Sequence, residues 1–114
     1  MRGSSVEDRE PILVISTAPN METAKEIARL LVVERLVACA SLIPSVTSYY
    51  WWQEEVRAEE EVLILMKTAK AKFKDLELRI KEIHPYDIPE TLALPVKGIS
   101  EDYLEWLLSE VELE

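Results

Sequence analysis

Two side chains in the sequence have chemistry that depends on their surroundings: His84 and Cys39, each the only residue of its type. His84 precedes Pro85 in a polar loop, a position from which an imidazole can ligate a metal or transfer a proton. The ordinary alternative is a hydrogen-bonded histidine at a helix end. Cys39 follows two small apolar residues and is interpreted as a buried apolar side chain rather than a thiolate ligand. One Cys and one His do not form the paired-ligand motifs of metal sites.

Aromatic and acidic side chains are concentrated between residues 49 and 61. Residues 54–61 contain five Glu and one Arg, which could chelate a hard cation or supply an acid and a base. A solvated hairpin tip is favoured, because adjacent side chains of a strand point to opposite faces. Tyr50, Trp51 and Trp52 could stack on a flat ligand. We interpret them as core or subunit contacts, since no basic residue is interleaved with them.

One catalytic function remains open for this sequence as an alternative. In it, His84 would act together with Asp87 or Glu90 in a cleft between subunits. Glycine-rich phosphate loops cannot be built from Gly3 and Gly98 alone, and no G-x-S-x-G elbow occurs. These absences argue against nucleotide binding of those types and against a serine triad. No organic cofactor is predicted.

The order of elements follows from hydrophobic periodicity and capping residues. Asn20 and Ser100 are predicted N-caps. Strands are predicted at 11–17, 37–52, 56–68 and 91–96, and helices at 21 to about 35, at 69–83 and after Ser100. The prolines of residues 84–90 favour an extended loop. This order predicts an α+β fold, a ferredoxin-like βαββαβ sandwich with an extra C-terminal helix.

The second and third strands are long and form a predicted hairpin. Pro44 lies in the middle of the second strand, where a proline requires an edge, a bend or a bulge. Residues 53–55 contain no glycine, so we expect a longer loop with a bulge rather than a two-residue primed turn.

One face of the predicted sheet has no helix to cover it. Both main helices are expected on the other face, yet residues 62–66 are apolar at successive positions, and residues 49–52 place aromatic side chains on both sides of their strand. An isolated chain would therefore expose a wide apolar patch. We predict self-association through this open face.

The length and the net charge of the chain limit the classes of protein to which it can belong. A chain of 114 residues with 48% hydrophobic residues fits one domain, here residues 11–114 after a flexible segment 1–10. The net charge of −9 disfavours nucleic acid, no apolar run is long enough for a membrane helix, and a single Cys fits a reducing compartment such as the cytoplasm. The second helix is basic and begins with Lys70, Lys72 and Lys74, which we expect to meet an acidic segment of the same or a neighbouring chain.

A series of ordered motifs along the chain resembles the CutA divalent-cation-tolerance family. The motifs cover nearly the whole domain: Thr17-Ala18-Pro19-Asn20, Glu34-Arg35-Leu36-Val37-Ala38-Cys39, Ile43-Pro44-Ser45-Val46-Thr47-Ser48, Tyr50-Trp51-Trp52-Gln53, Lys67-Thr68, His84-Pro85-Tyr86 and Asp102-Tyr103-Leu104-Glu105-Trp106-Leu107. The resemblance implies a homotrimer of ferredoxin-like subunits, similar in architecture to PII-type signalling proteins. It also implies ligands in clefts between subunits, here around His84, Tyr86 and Trp51-Trp52.

The resemblance further implies binding of copper or another divalent cation. Some bacterial members have a Cys on the first strand and a His in the His-Pro-Tyr loop; here the first position is Ser16 and the second is His84. The hairpin departs from the pattern at Glu54, where Gly is usual. Together with the resemblance, the sequence predicts a non-enzymatic, trimeric, cytoplasmic protein in divalent-metal binding, tolerance or metal-linked regulation, with His84 as the candidate ligand for Cu²⁺ or another divalent cation. A small-molecule-binding signalling protein or weak enzyme is the alternative, and RNA recognition ranks last.

Overall fold

The computed structural model describes residues 5–113, so the predictions that fall on residues 1–4 and 114 lie outside it. The elements are β1 Pro11–Ala18, α1 Met21–Val33, β2 Cys39–Trp52, β3 Glu55–Ala69, a 3-10 turn Lys70–Lys72, α2 Phe73–Ile83, β4 Leu92–Pro95 and α3 Glu101–Glu110. The four strands form one antiparallel sheet in the order β2-β3-β1-β4. The predicted order of strands and helices is confirmed.

Local capping sets where α1 and α3 begin and end. The Asn20 side chain accepts the Thr23 N–H at 2.8 Å, and the Ser100 hydroxyl accepts the Tyr103 N–H at 3.3 Å, as predicted. α1 ends at Val33 rather than near Arg35, because Arg35 adopts a left-handed φ of 60°. This conformation lets the next N–H return to the last helical turn, a Schellman ending.

The sheet separates the chain into a covered and an open face. Side chains of β1 and β3 that point to α1 and α2 form the main core: Ile12, Val14, Val62, Ile64 and Met66 pack with Ala24, Ile27, Leu31, Leu76 and Ile80. α3 packs separately, against Ala38 and Ala69. The rows Leu92–Ile15–Leu65 and Leu94–Leu13–Lys67 cross the opposite face. No helix among residues 5–113 is long and apolar enough to cross a membrane.

The hairpin between β2 and β3 corrects one prediction. Trp52 pairs directly with Glu55, so the connection is the two-residue turn Gln53-Glu54, and the expected longer loop with a bulge is wrong. Both turn residues have positive φ, 50° and 65°, as a type I′ turn requires. The irregularity of the hairpin lies instead between Ile43 and Val46, around Pro44, where a bend was predicted.

The segment before β1 contacts the 3-10 turn that leads into α2. Lys70 Nζ lies 2.8 Å from a carboxylate oxygen of Glu7, and the Lys70 and Ala71 N–H groups donate to the carbonyls of Glu10 and Asp8. The hydrogen bond with Glu7 raises the pKa of Lys70. One lysine of the cluster at the helix start therefore meets an acidic segment of the same chain. That residues 1–10 are flexible stays a prediction.

Replacing Glu54 by glycine is expected to stabilise the protein. A left-handed conformation costs an L-residue about 1–2 kcal/mol and glycine almost nothing, so we expect Glu54→Gly to raise the free energy of unfolding by about 1 kcal/mol. Guanidinium denaturation at one protein concentration measures the change. Glu54→Ala is the matched control, since it removes the same charge but keeps the Cβ. Equal gains in both variants would mean that relief of charge, and not of backbone strain, is responsible.

Candidate functional site

His84 lies where α2 ends and is almost fully buried. Its Nε2 is 2.7 Å from the carbonyl oxygen of Thr17 in β1, and the Tyr86 N–H donates to its Nδ1 at 3.1 Å. Because a carbonyl only accepts and an N–H only donates, these partners select the neutral tautomer with its proton on Nε2. His84 thus joins the loop after α2 to the end of β1.

Tyr86 and Glu61 form a short side-chain pair beside this histidine. The Tyr86 hydroxyl donates to a carboxylate oxygen of Glu61 at 2.6 Å, and Glu61 is only 8% exposed. Burial, followed by the hydrogen bond and the charge of Glu61, raises the pKa of the Tyr86 hydroxyl. Burial and the charge of Glu61 also raise the pKa of Glu90. Carboxylates therefore crowd this region, and their mutual repulsion favours a nearby positive charge.

A cleft of about 610 Å³ separates the β2–β3 hairpin from the loop after α2. The hairpin contributes residues 48–52, and the loop contributes Tyr86, Asp87, Ile88 and Glu90, together with Thr17 and Glu61. The structure therefore brings together the aromatic residues, the Tyr and both loop carboxylates that the sequence singled out. His84 lies behind the cleft, bonded to two of its lining residues, and does not line it.

Glu61 is the site residue that sequence reasoning missed. It belongs to the acidic run interpreted as a solvated hairpin tip, and most of that run is exposed. Alternation along β3 places residue 61 on the same face as Leu63 and Leu65. This alternation with two leucines was the feature of the sequence that could have identified residue 61 as partly covered rather than solvated.

Cys39 occupies a different place, on the open face at the start of β2. Lys67 Nζ lies 3.7 Å from Cys39 Sγ and 2.6 Å from the Ser41 hydroxyl oxygen. Burial, and to a smaller extent the neighbouring Cys39, raises the pKa of the Tyr103 hydroxyl. Cys39 is half-buried and participates in a polar cluster, so it is less apolar in its contacts than predicted.

The side chains of one chain do not fit a resident metal centre. Within residues 5–113, no three His, Cys, Asp or Glu side chains converge as ligands. Both ring nitrogens of His84 already hold hydrogen bonds. Ser16 contributes a buried hydroxyl oxygen that has no hydrogen-bond partner among the described residues, and a hydroxyl is a poor ligand for copper.

Comparison with known proteins shows which family the sequence of this chain matches. The model of the family described as "CutA1 divalent ion tolerance protein" matches residues 12–110. The chain is 45% identical to the divalent-cation tolerance protein CutA of Thermus thermophilus over 83% of this chain and 92% of that protein. It is 39% identical to its counterpart in Pyrococcus horikoshii over 89% of this chain and 98% of that protein.

Solved structures agree with the sequence comparison. The fold is similar to that of CutA from Xylella fastidiosa, with a TM-score of 0.87 and 34% identity over 90% of this chain and 98% of that one. It is similar to CutA1 from Oryza sativa, with a TM-score of 0.86 and 39% identity over 89% and 93% of the two chains. A family match across nearly the whole fold, together with this identity, leads to one conclusion: the chain belongs to the CutA1 divalent ion tolerance protein family.

Proposed function

We propose that this protein acts in divalent-cation tolerance as a non-enzymatic, cytoplasmic homotrimer of ferredoxin-like subunits with PII-like architecture. Family membership supports the tolerance role, because the relatives carry that name. The strand order β2-β3-β1-β4 and the element order βαββαβ together support the ferredoxin-like assignment. The observation that supports the trimeric assembly is the open face of the sheet.

The open face of the sheet is apolar and only partly covered in one chain. Ile15, Leu63 and Leu65 are half-buried there, and Ile43 and Leu92 are more than 40% exposed at the two edge strands. α3 covers only the end of this face near Ala69. Contiguous apolar surface of this kind is removed from water most effectively by a second copy of the same surface or by a neighbouring subunit.

His84 is the proposed ligand for Cu²⁺ or another divalent cation. The imidazole would have to exchange one of its two hydrogen bonds for the metal, so we expect weak binding by a single histidine. Calorimetric titration with Cu²⁺ should show at least about a tenfold lower affinity for His84→Ala than for the unmodified chain, since the loss of a ligand commonly costs that much or more.

Two further variants separate the possible sources of copper binding. Cys39→Ser controls for adventitious binding to the free thiol, and it should leave the affinity unchanged. Ser16→Cys supplies a soft ligand on the first strand and should raise the affinity. Equal affinities of the unmodified chain and His84→Ala would remove His84 from the metal site. Circular dichroism verifies that each variant is folded.

A second candidate function is favoured by the cleft beside the hairpin. Its volume of about 610 Å³ lies in the range of sites for small molecules. In a trimer this cleft would be completed at a subunit boundary, as the exposed hairpin aromatics Tyr49 and Trp51 suggest. The protein would then be a small-molecule-binding signalling protein, or a weak enzyme that uses Glu90 or Asp87.

A further inference from the structure

We propose that the cleft between the β2–β3 hairpin and the loop after α2 binds an organic ammonium cation. This inference rests on the small-molecule function proposed above and names its ligand class. The cleft joins an aromatic wall to buried negative charge, and none of its lining residues within the described range 5–113 is Lys or Arg. Both features select for a cation with an apolar surface.

The aromatic wall is the first of these features. Tyr50 and Trp52 alternate along β2 on the sheet face that also carries Glu61 of β3, and Tyr86 lines the cleft from the loop. Tryptophan and tyrosine faces attract cations through the ring quadrupole, and they do so most effectively for weakly hydrated cations such as alkylammonium groups. The same side chains bury the carbon atoms of the ligand.

The negative charge is the second feature. Glu61 is more than nine-tenths buried and lines the cleft. Among residues 5–113, its side-chain hydrogen-bond partner is the neutral Tyr86 hydroxyl, and no salt bridge reaches it. A buried carboxylate without a cationic partner is expensive. Glu90 also lines the cleft, and the charge of Glu61 contributes to raising its pKa, so a bound cation would relieve repulsion between these two carboxylates.

The size of the cation follows from how the acidic groups are arranged. A bare divalent ion needs several ligand atoms within about 2.0–2.6 Å, yet these carboxylates do not converge as a metal-ligand group. A cavity of about 610 Å³, lined by both the aromatic wall and Glu61, has room for an organic molecule. An alkylammonium ion meets both requirements, whereas a small inorganic ion meets neither.

A matched pair of probes tests the charge requirement. Choline and its uncharged isostere 3,3-dimethyl-1-butanol have almost the same shape, so a difference between them measures the effect of charge. Binding is followed by tryptophan fluorescence of the full chain carrying Trp106→Phe, which leaves Trp51 and Trp52 as the only reporters. We expect choline to bind about tenfold more tightly than the isostere at constant ionic strength.

Variants at neighbouring carboxylates locate the charge. Glu61→Gln keeps an acceptor for the Tyr86 hydroxyl but removes the negative charge, and it should weaken choline binding about fivefold or more. Glu60→Gln is the matched control, since residue 60 points to the opposite face of β3, and it should leave binding unchanged. Calorimetry provides the same comparison without relying on fluorescence.

Three results would overturn the inference, and they are distinguishable. Equal binding of choline and the isostere would remove the ammonium assignment and leave the small-molecule function. Binding of neither probe would also remove the ammonium assignment, without bearing on ligands of another class. A trimer structure in which a Lys or Arg of a neighbouring copy meets Glu61 would assign the negative charge to assembly instead of to a ligand.

Discussion

Ile43→Asp combined with Leu92→Asp is expected to convert the proposed homotrimer into monomers. The two side chains lie on the open face at opposite edges of the sheet and are 42% and 55% exposed in one chain. In the proposed trimer they would be buried, and an unpaired carboxylate in an apolar interface costs on the order of 3–5 kcal/mol. Each such loss raises the dissociation constant at least about a hundredfold. Sedimentation at micromolar concentration should therefore give the mass of one chain instead of three.

The control for this prediction is an equally exposed leucine elsewhere. Leu78 on α2 is 58% exposed, and α2 packs against the covered face of the sheet, so Leu78→Asp should leave the proposed trimer intact. A double variant that sediments as a trimer would show that the open face is not the interface. A monomeric unmodified chain would contradict the proposed assembly itself.

The parts of the fold that were predictable from the sequence depend on short-range chemistry. Asn20 and Ser100 announce their helices because a cap needs only a side-chain oxygen and an N–H group three residues later. The strand order required the longer rule that consecutive elements pack beside one another with right-handed crossovers. Both helices of the main core lie on one face, as that rule predicts.

The predictions of local structure were wrong where the backbone adopts a conformation that is unusual for the residue type. Gln53, Glu54 and Arg35 all have positive φ although none is glycine, so the position of the turn was predicted to within one residue, but its two-residue type and the exact end of α1 were not. Tertiary packing compensates for such strain. At α1, for example, Leu36 follows the left-handed residue and packs against the core.

The candidate site was predicted in its residue types but not in its geometry. His84 was identified as chemically important, but its two hydrogen bonds depend on Thr17, which is distant in sequence, and on the path of the following loop. Glu61 was hidden in a run of similar charges, of which only the folded sheet selects one for burial. The family resemblance therefore pointed to the region of this cleft, whereas the arrangement of its charged groups became visible only in the fold.

The second large effect is expected in the core that holds this cleft in place. Leu76 is fully buried in α2 between α1 and the sheet. The loop follows α2 directly, and the His84 N–H closes the last helical turn by donating to the Ile80 carbonyl at 2.9 Å. Truncating a buried leucine to alanine removes its apolar contacts and leaves a cavity that the surroundings fill only partly. Leu76→Ala should therefore lower the free energy of unfolding by about 3 kcal/mol.

Leu78→Ala provides a comparison within the same helix and with the same change of side chain. Leu78 is 58% exposed, and alanine is at least as good a helix former as leucine, so its effect should stay within about 0.5 kcal/mol. Guanidinium denaturation of both variants at one protein concentration separates burial from helix propensity. Similar losses in the two variants would mean that α2 contributes through its helicity rather than through the core.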